Sequence, residues 1–170
     1  MSEKRNKKIK ALTLGGMFAA LSVVLSFLEN AVPVSLAVPG VKLGLANIPV
    51  MYCLIFLGFR EAFAAAFIKC LFALITRGAT AFIMSSAGTA LSLLAILLFK
   101  RIKGLKLVYV SIAGSLFHNT GQIIAAAFIM KNAYTLYELP LLMVSGIIMG
   151  YITGTILDKA LPLLKKTEGL

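Results

Sequence analysis

The sequence has few charged residues. They make up 14% of its 170 residues, against about 25% in soluble domains, while 60% are hydrophobic and the mean hydropathy is +0.97. This composition is typical of an integral membrane protein. We expect residues 1–170 to form a single transmembrane domain, because several helices of about 20 residues with short connections consume the whole length. Although a secretory signal also begins with basic residues before an apolar run, we expect the first span to stay as a helix.

Residues that carry catalysis are scarce. Asp158 is the only aspartate and His118 the only histidine, so neither an acidic cluster for magnesium-bound diphosphate chemistry nor a nucleophile with its base and orienting group can be assembled. The P-loop pattern G-x-x-x-x-G-K-[ST] is absent as well. Cys53 and Cys70 lie inside hydrophobic runs with no ligand-forming neighbour and read as small buried apolar residues. We therefore predict no enzyme, no metal site and no cofactor.

Six apolar segments predict an all-α protein with six transmembrane helices. They cover residues 11–28, 45–58, 61–76, 81–99, 107–130 and 139–157. The second and third are short: at about 1.5 Å per residue they cover roughly 21 to 24 Å of a hydrocarbon core of about 30 Å. Residues 58–61, Gly-Phe-Arg-Glu, read as a tight turn between them.

The basic residues predict the orientation. Most of the 17 Lys and Arg residues fall on one side of the predicted membrane: Lys4, Arg5, Lys7, Lys8, Lys10, Arg60, Lys100, Arg101, Lys103, Lys106, Lys159, Lys165 and Lys166. Lys42, Arg77 and Lys131 fall on the other side, and Lys69 lies within a span. By the positive-inside rule, residues 1–10 and 159–170 are both cytoplasmic. The net charge of +11 is then a sign of topology, and we expect no nucleic-acid partner.

Residues 29–46 become the longest connection, on the external side. They include most of VPGVKLGLANIPV, in which apolar residues alternate with small or polar ones. A solvated linker and an ordered cap over a cavity both remain open, and we favour the cap because Pro33, Pro39 and Pro49 stiffen the chain.

Polar residues at membrane depth are candidates for ligand binding, because an ionisable group there costs about 2.5 to 3.5 kcal/mol on insertion scales. Lys69 either reaches an interface, pairs with a polar neighbour or has a function. Asn119 and Gln122, beside His118, form either an interhelical hydrogen-bond patch or part of a pocket. The predicted substrate-binding residues are Lys42, Asn47, Arg77, Asn119 and Gln122. The cationic bias of the external face gives a weak preference for an anionic ligand.

Two stripes of small residues recur at four-residue spacing, which lets helix backbones approach closely. One contains Ala11, Gly15 and Ala19, and the other Gly146, Gly150 and Gly154. The spacing leaves open whether the partner of each stripe lies in this chain or in another subunit.

The run GGMFAALSVVLSFLENAVP followed by PGVKLGLANIPVMYCLIFLGFREAF resembles the membrane family called Gx transporters. Its members are often labelled heptaprenyl diphosphate synthase component I, and the family is similar to the substrate-binding S components of energy-coupling factor (ECF) vitamin transporters. The resemblance covers the chain nearly end to end, and PGVKLGLANI is its most specific part.

The resemblance implies a six-helix S component of the bacterial cytoplasmic membrane that captures a small vitamin-like or amphipathic molecule outside. It implies that the first external loop closes over the substrate, which puts residues 39–47 at the site. It also implies that Ala11, Gly15 and Ala19 dock on a membrane coupling subunit, although Gly15 stands where alanine is usual. Two cytoplasmic ATPases would supply the energy.

Two other functions remain open. The chain could be a non-catalytic membrane subunit of isoprenoid or quinone biosynthesis, or a stand-alone facilitator. Prenyl diphosphate synthases rely on aspartate-rich motifs on soluble helices, and this chain has neither feature. A vitamin, a quinone precursor or an isoprenoid would each fit an amphipathic external pocket.

Overall fold

A computed structural model describes residues 2–31, 44–131 and 133–168, and every regular element in these ranges is helical. The predicted all-α class is therefore confirmed for this part of the chain. The chain divides into two compact units, Met1–Phe82 and Ile83–Leu170. In chain order the elements are α1 (Ser2–Ala31), α2 (Asn47–Tyr52) with a π-helical turn (Cys53–Leu57), α3 (Phe59–Phe99), α4 (Leu107–Met130), a 3-10 helix (Ala133–Glu138) and α5 (Leu139–Glu168).

Among the described residues, four helical segments are long and apolar enough to cross a membrane, as a multi-pass membrane protein requires. They are Lys8–Glu29, Phe59–Phe99, Leu107–Met130 and Ala133–Ala160. The apolar helix Asn47–Leu57 is shorter. The count of six spans and the cytoplasmic location of both termini stay predictions.

Helix α3 is interrupted at Gly78. Its 41 residues would extend about 62 Å at about 1.5 Å per residue, roughly twice the hydrocarbon core of about 30 Å. Gly78 has φ 85° and ψ −177°, a conformation open to glycine and strained for residues with a Cβ atom. This residue lies between the predicted third and fourth spans, which correspond to the two arms of α3.

Two helices extend beyond their predicted spans. Helix α1 begins at Ser2, although its apolar run begins only at residue 11, because lysine, arginine and glutamate are good helix formers. Helix α5 continues past residue 157 to Glu168 and contains Pro162. Hydropathy thus located the apolar part of each helix and missed its polar extension.

The first unit packs α1 against α2 and the π-helical turn. The rings of Phe18 and Tyr52 lie 4.3 Å apart, and Cys53 and Leu54 are fully buried. The turn ends at Gly58, whose φ of 125° lets the chain pass directly into α3. The predicted turn at residues 58–61 is therefore limited to Gly58, because residues 59–61 already belong to α3. Cys53 and Cys70 are both buried and neither forms a disulfide, as the sequence predicted.

In the second unit, glycines bring helix backbones into contact. A Cβ atom added to Gly121 on α4 would lie 2.7 Å from the carbonyl oxygen of Ala87 on α3. A Cβ atom added to Gly150 on α5 would lie 2.6 Å from the Cα atom of Ile112, and one on Gly154 would lie 2.7 Å from the Cα atom of Val108. The stripe of Gly146, Gly150 and Gly154 therefore has its partner, α4, inside this chain.

We predict that Gly150→Ala lowers the thermal stability of the purified protein, measured by circular dichroism in detergent. The added methyl group would meet backbone atoms, and overpacking costs about 1 to 3 kcal/mol, more than the gain of about 1 kcal/mol in helix propensity. Gly16→Ala is the matched control, because a Cβ atom at Gly16 meets nothing within 4 Å. Equal melting temperatures for the two variants would contradict the close approach of α4 and α5.

Candidate functional site

The first unit contains a polar cluster, which consists of Glu29, Asn47, Lys69 and Arg77. Its lysine is buried. Lys69 of α3 is only 5% exposed, and its Nζ atom donates a hydrogen bond of 2.6 Å to Oδ1 of Asn47, the first residue of α2. A hydrogen bond from a charged donor is about twice as strong as a neutral one. Of the three interpretations of Lys69, pairing with a polar neighbour is the one that this contact supports.

Glu29 joins the end of α1 to the residues that precede α2. Its carboxylate accepts a hydrogen bond from the backbone N–H of Leu45 and another from the backbone N–H of Ala46. The backbone N–H of Asn47 in turn donates to the carbonyl oxygen of Gly44, at 2.9 Å. The carboxylate of Glu29 thus fixes the start of α2, and with it the position of the Asn47 side chain.

The same carboxylate interacts electrostatically with Lys69 and Arg77. Glu29 supplies one negative charge against the two positive charges of Lys69 and Arg77, so these three residues carry a net positive charge. Arg77 is exposed and directly precedes the interruption of α3 at Gly78. An exposed guanidinium is suited to bind a carboxylate or phosphate group.

The structure brings two of the five predicted substrate-binding residues, Asn47 and Arg77, to this cluster. Lys42 lies outside the described residues. Sequence reasoning left Glu29 and Lys69 out of the predicted site, although both were visible as charges at or inside apolar spans. In the described residues, no group of three or more His, Cys, Asp or Glu side chains comes close enough to hold a metal ion.

Asn119 and Gln122 belong to the second unit. The Nδ2 atom of Asn119 donates a hydrogen bond of 2.7 Å to the carbonyl oxygen of Leu142 on α5, and the side chain of Gln122 lies over Gly88 of α3. The hydroxyl groups of Ser111 and Thr153 form a further hydrogen bond of 2.8 Å between α4 and α5. These contacts fit the interhelical hydrogen-bond patch, and ligand binding by Asn119 and Gln122 stays a prediction.

An open groove runs between α1 and the start of α3 in the first unit, with a volume of about 930 Å³. All three predicted docking residues line it. The lining consists of Lys8, Ala11, Leu12, Gly15, Gly16, Ala19, Leu57, Gly58, Phe59, Arg60, Glu61, Ala64 and Ile68. A Cβ atom on Gly15 would lie 3.1 Å from Cγ of Glu61, whereas one on Gly16 would point into open space.

Comparison with known proteins gives one family. The family described as heptaprenyl diphosphate synthase component I matches residues 18–160. No curated protein and no solved structure matches the chain. The match spans the start of α2, the polar cluster and both small-residue stripes except for Ala11 and Gly15.

We predict that Asn47→Ala destabilises the first unit, because it leaves the buried Lys69 ammonium without its acceptor in α2. Loss of a buried hydrogen-bond partner costs about 1 to 3 kcal/mol. Buried Cys53 and Cys70 report the unfolding of this unit through their reaction with a thiol-sensitive dye during heating.

The control repeats the Asn47→Ala substitution in a Lys69→Met variant. Methionine removes the charge of Lys69 and keeps an apolar side chain of similar length. In that background Asn47→Ala should cost much less, since no ammonium remains to be satisfied. An equal loss of melting temperature in both backgrounds would show that the hydrogen bond from Lys69 to Asn47 adds nothing to stability.

Proposed function

The chain belongs to the heptaprenyl diphosphate synthase component I family, and from this premise we propose that it is the substrate-binding S component of an ECF-type importer. In this role it captures a small vitamin-like or amphipathic molecule, preferably an anionic one, on the external side of the bacterial cytoplasmic membrane. A membrane coupling subunit and two cytoplasmic ATPases are its partners. The chain crosses the membrane six times with both termini in the cytoplasm, and the two arms of α3 cross separately.

The groove of α1 and α3 carries this proposal. Small residues along a membrane helix favour close helix association. Ala11, Gly15 and Ala19 line the groove. Gly15 and Ala19 are buried, whereas Gly16 beside them is exposed and open to a partner. Leu12 and Met17 on the same helix are exposed and add apolar surface beside it. Under the proposed orientation, Lys8 and Arg60 place the groove toward the cytoplasmic side, where a coupling subunit with its ATPases would dock.

The polar cluster supports the capture of an anionic molecule. Arg77 is exposed and Lys69 is buried. An anionic group would gain a charged hydrogen-bond donor from Arg77 and a favourable potential from both cations. Glu29 ties the start of α2 to α1. In this proposal Lys42 adds a further positive charge for the ligand.

A second function is favoured by the family's own description. As a component of a heptaprenyl diphosphate synthase, the chain would be a non-catalytic membrane subunit that recruits a soluble prenyl synthase. Asp158 is its only aspartate, so the partner would supply the aspartate-rich catalytic motifs. The groove of α1 and α3 would then receive that partner.

We predict that Gly16→Leu removes the coupling subunit and the ATPases from the purified complex. Its side chain fills the groove without meeting an atom of this chain within 4 Å of its Cβ position, whereas a bulky residue at Gly15 would also displace Glu61. The yield of co-purified subunits, measured by mass spectrometry, should fall about tenfold, which corresponds to about 1.4 kcal/mol of binding free energy.

Ala20→Leu is the control, because Ala20 is exposed on α1 and does not line the groove. It should leave the complex intact, and both variants should melt as the unaltered chain does. Recovery of a soluble prenyl synthase in place of a coupling subunit and ATPases would favour the second function. An undiminished yield with Gly16→Leu would exclude the groove as the docking surface.

We also predict that Arg77→Ala and Lys42→Ala lower the amount of small molecule retained after gentle purification, each by about tenfold or more. Each substitution removes a cation that attracts the anionic group, while the helices stay folded. Liquid chromatography with mass spectrometry of the extracted molecules measures the retained amount. Lys103→Ala, in the connection between α3 and α4, is the control and should retain as much ligand as the unaltered chain. Unchanged retention in both Arg77→Ala and Lys42→Ala would remove these residues from the site.

A further inference from the structure

A second groove lies in the second unit, where α4 ends and the 3-10 helix begins. It has a volume of about 450 Å³ and is lined by Ile124, Ala127, Phe128, Lys131, Ala133 and Leu136. Among these described lining residues Lys131 is the only charged one. Phe128 is 84% exposed. The groove therefore combines a large apolar surface with the single ammonium group of Lys131.

Two exposed tyrosines lie on the 3-10 helix beside this groove. Tyr134 and Tyr137 of the 3-10 helix are 74% and 78% exposed, and their stacked rings lie 5.9 Å apart. Tyrosine is enriched at membrane–water interfaces, where its ring lies at headgroup level and its hydroxyl group reaches water. The 3-10 helix has no buried residue, so it presents its side chains outward. Two exposed tyrosines beside the groove therefore favour a location of its mouth at the depth of lipid headgroups.

We propose that this groove binds an anionic phospholipid, with one acyl chain along Ile124, Ala127 and Phe128 and the headgroup phosphate at Lys131. The apolar lining matches an acyl chain, and the single cation matches the single negative charge of a phosphodiester. A prenyl diphosphate carries several negative charges. It would call for more cations than Lys131 alone.

The backbone conformation of Lys131 limits which residues can replace it. Lys131 caps α4 in the left-handed conformation, with φ 49° and ψ 35°, which asparagine tolerates better than most residues. Lys131→Asn therefore removes the positive charge and keeps the helix end. The chain contains no tryptophan, and Tyr137→Trp places a single fluorescent reporter beside the groove.

The experiment measures the quenching of this tryptophan by brominated lipids. The full-length Tyr137→Trp protein is placed in phosphatidylcholine vesicles that contain equal mole fractions of brominated phosphatidylglycerol or brominated phosphatidylcholine. We expect brominated phosphatidylglycerol to associate about fivefold more strongly, as one lysine at a membrane surface provides. Lys131→Asn should bring the two lipids to equal quenching, and Ala127→Phe, which fills the groove, should weaken quenching by phosphatidylglycerol.

Lys103→Asn is the control for the overall positive charge of the chain, and it should keep the fivefold preference. Circular dichroism verifies that each variant is folded. Three results would overturn the proposal: equal quenching by both lipids with Lys131 present, the same loss of preference in Lys103→Asn as in Lys131→Asn, or release of brominated phosphatidylglycerol by a low concentration of farnesyl diphosphate. The third result would assign the groove to a prenyl diphosphate.

Discussion

The hydrogen bond between Lys69 and Asn47 is the contact on which the first unit depends. A charged group inside an apolar helix is tolerated only when a polar partner satisfies it. That partner belongs to α2, so α2 must begin where the Lys69 ammonium group can reach it. Glu29 secures this start through the backbone of Leu45, and its charge offsets part of the positive charge of Lys69 and Arg77. We propose that the remaining positive charge attracts an anionic ligand.

The second constraint is that the helices must pack closely although lipid supplies no hydrophobic force to bring them together. In a lipid environment helices associate through van der Waals contact and interhelical hydrogen bonds, which favours small residues at the contacts. Gly150 and Gly154 meet this requirement against α4, and the Ser111–Thr153 hydrogen bond adds to it. The stripe of α1 has the same spacing, and it lines a groove in which Gly15 and Ala19 are buried while Gly16 beside them is exposed. We propose that this groove receives another subunit.

The sequence predicted the parts of the fold that follow from local chemistry. The all-α class, the buried cysteines and the turn at Gly58 follow from hydropathy, from the small apolar cysteine side chain and from glycine's conformational freedom. The extension of α1 to Ser2 was missed because hydropathy does not register charged helix formers. The sequence likewise left open which stripe of small residues packs against a helix of this chain, since the spacing is the same in both.

The candidate site was predicted only in part. Asn47 and Arg77 were recognised as polar residues at the ends of spans, and both lie in the cluster. Glu29 was not among the predicted site residues and Lys69 kept three interpretations, because their roles depend on contacts over 16 and 22 residues of sequence. Such contacts depend on tertiary structure, which spacing rules for a single helix do not reach.

The proposed importer function requires that residue 42 face the external side of the membrane. It is tested most directly by labelling Lys42→Cys in intact cells with a membrane-impermeant maleimide, with Lys103→Cys as the opposite-side reference. Our account predicts that the label reaches position 42 from outside, and reaches position 103 only after the cells are opened. Labelling of position 42 only after the cells are opened would contradict external capture and the importer function with it.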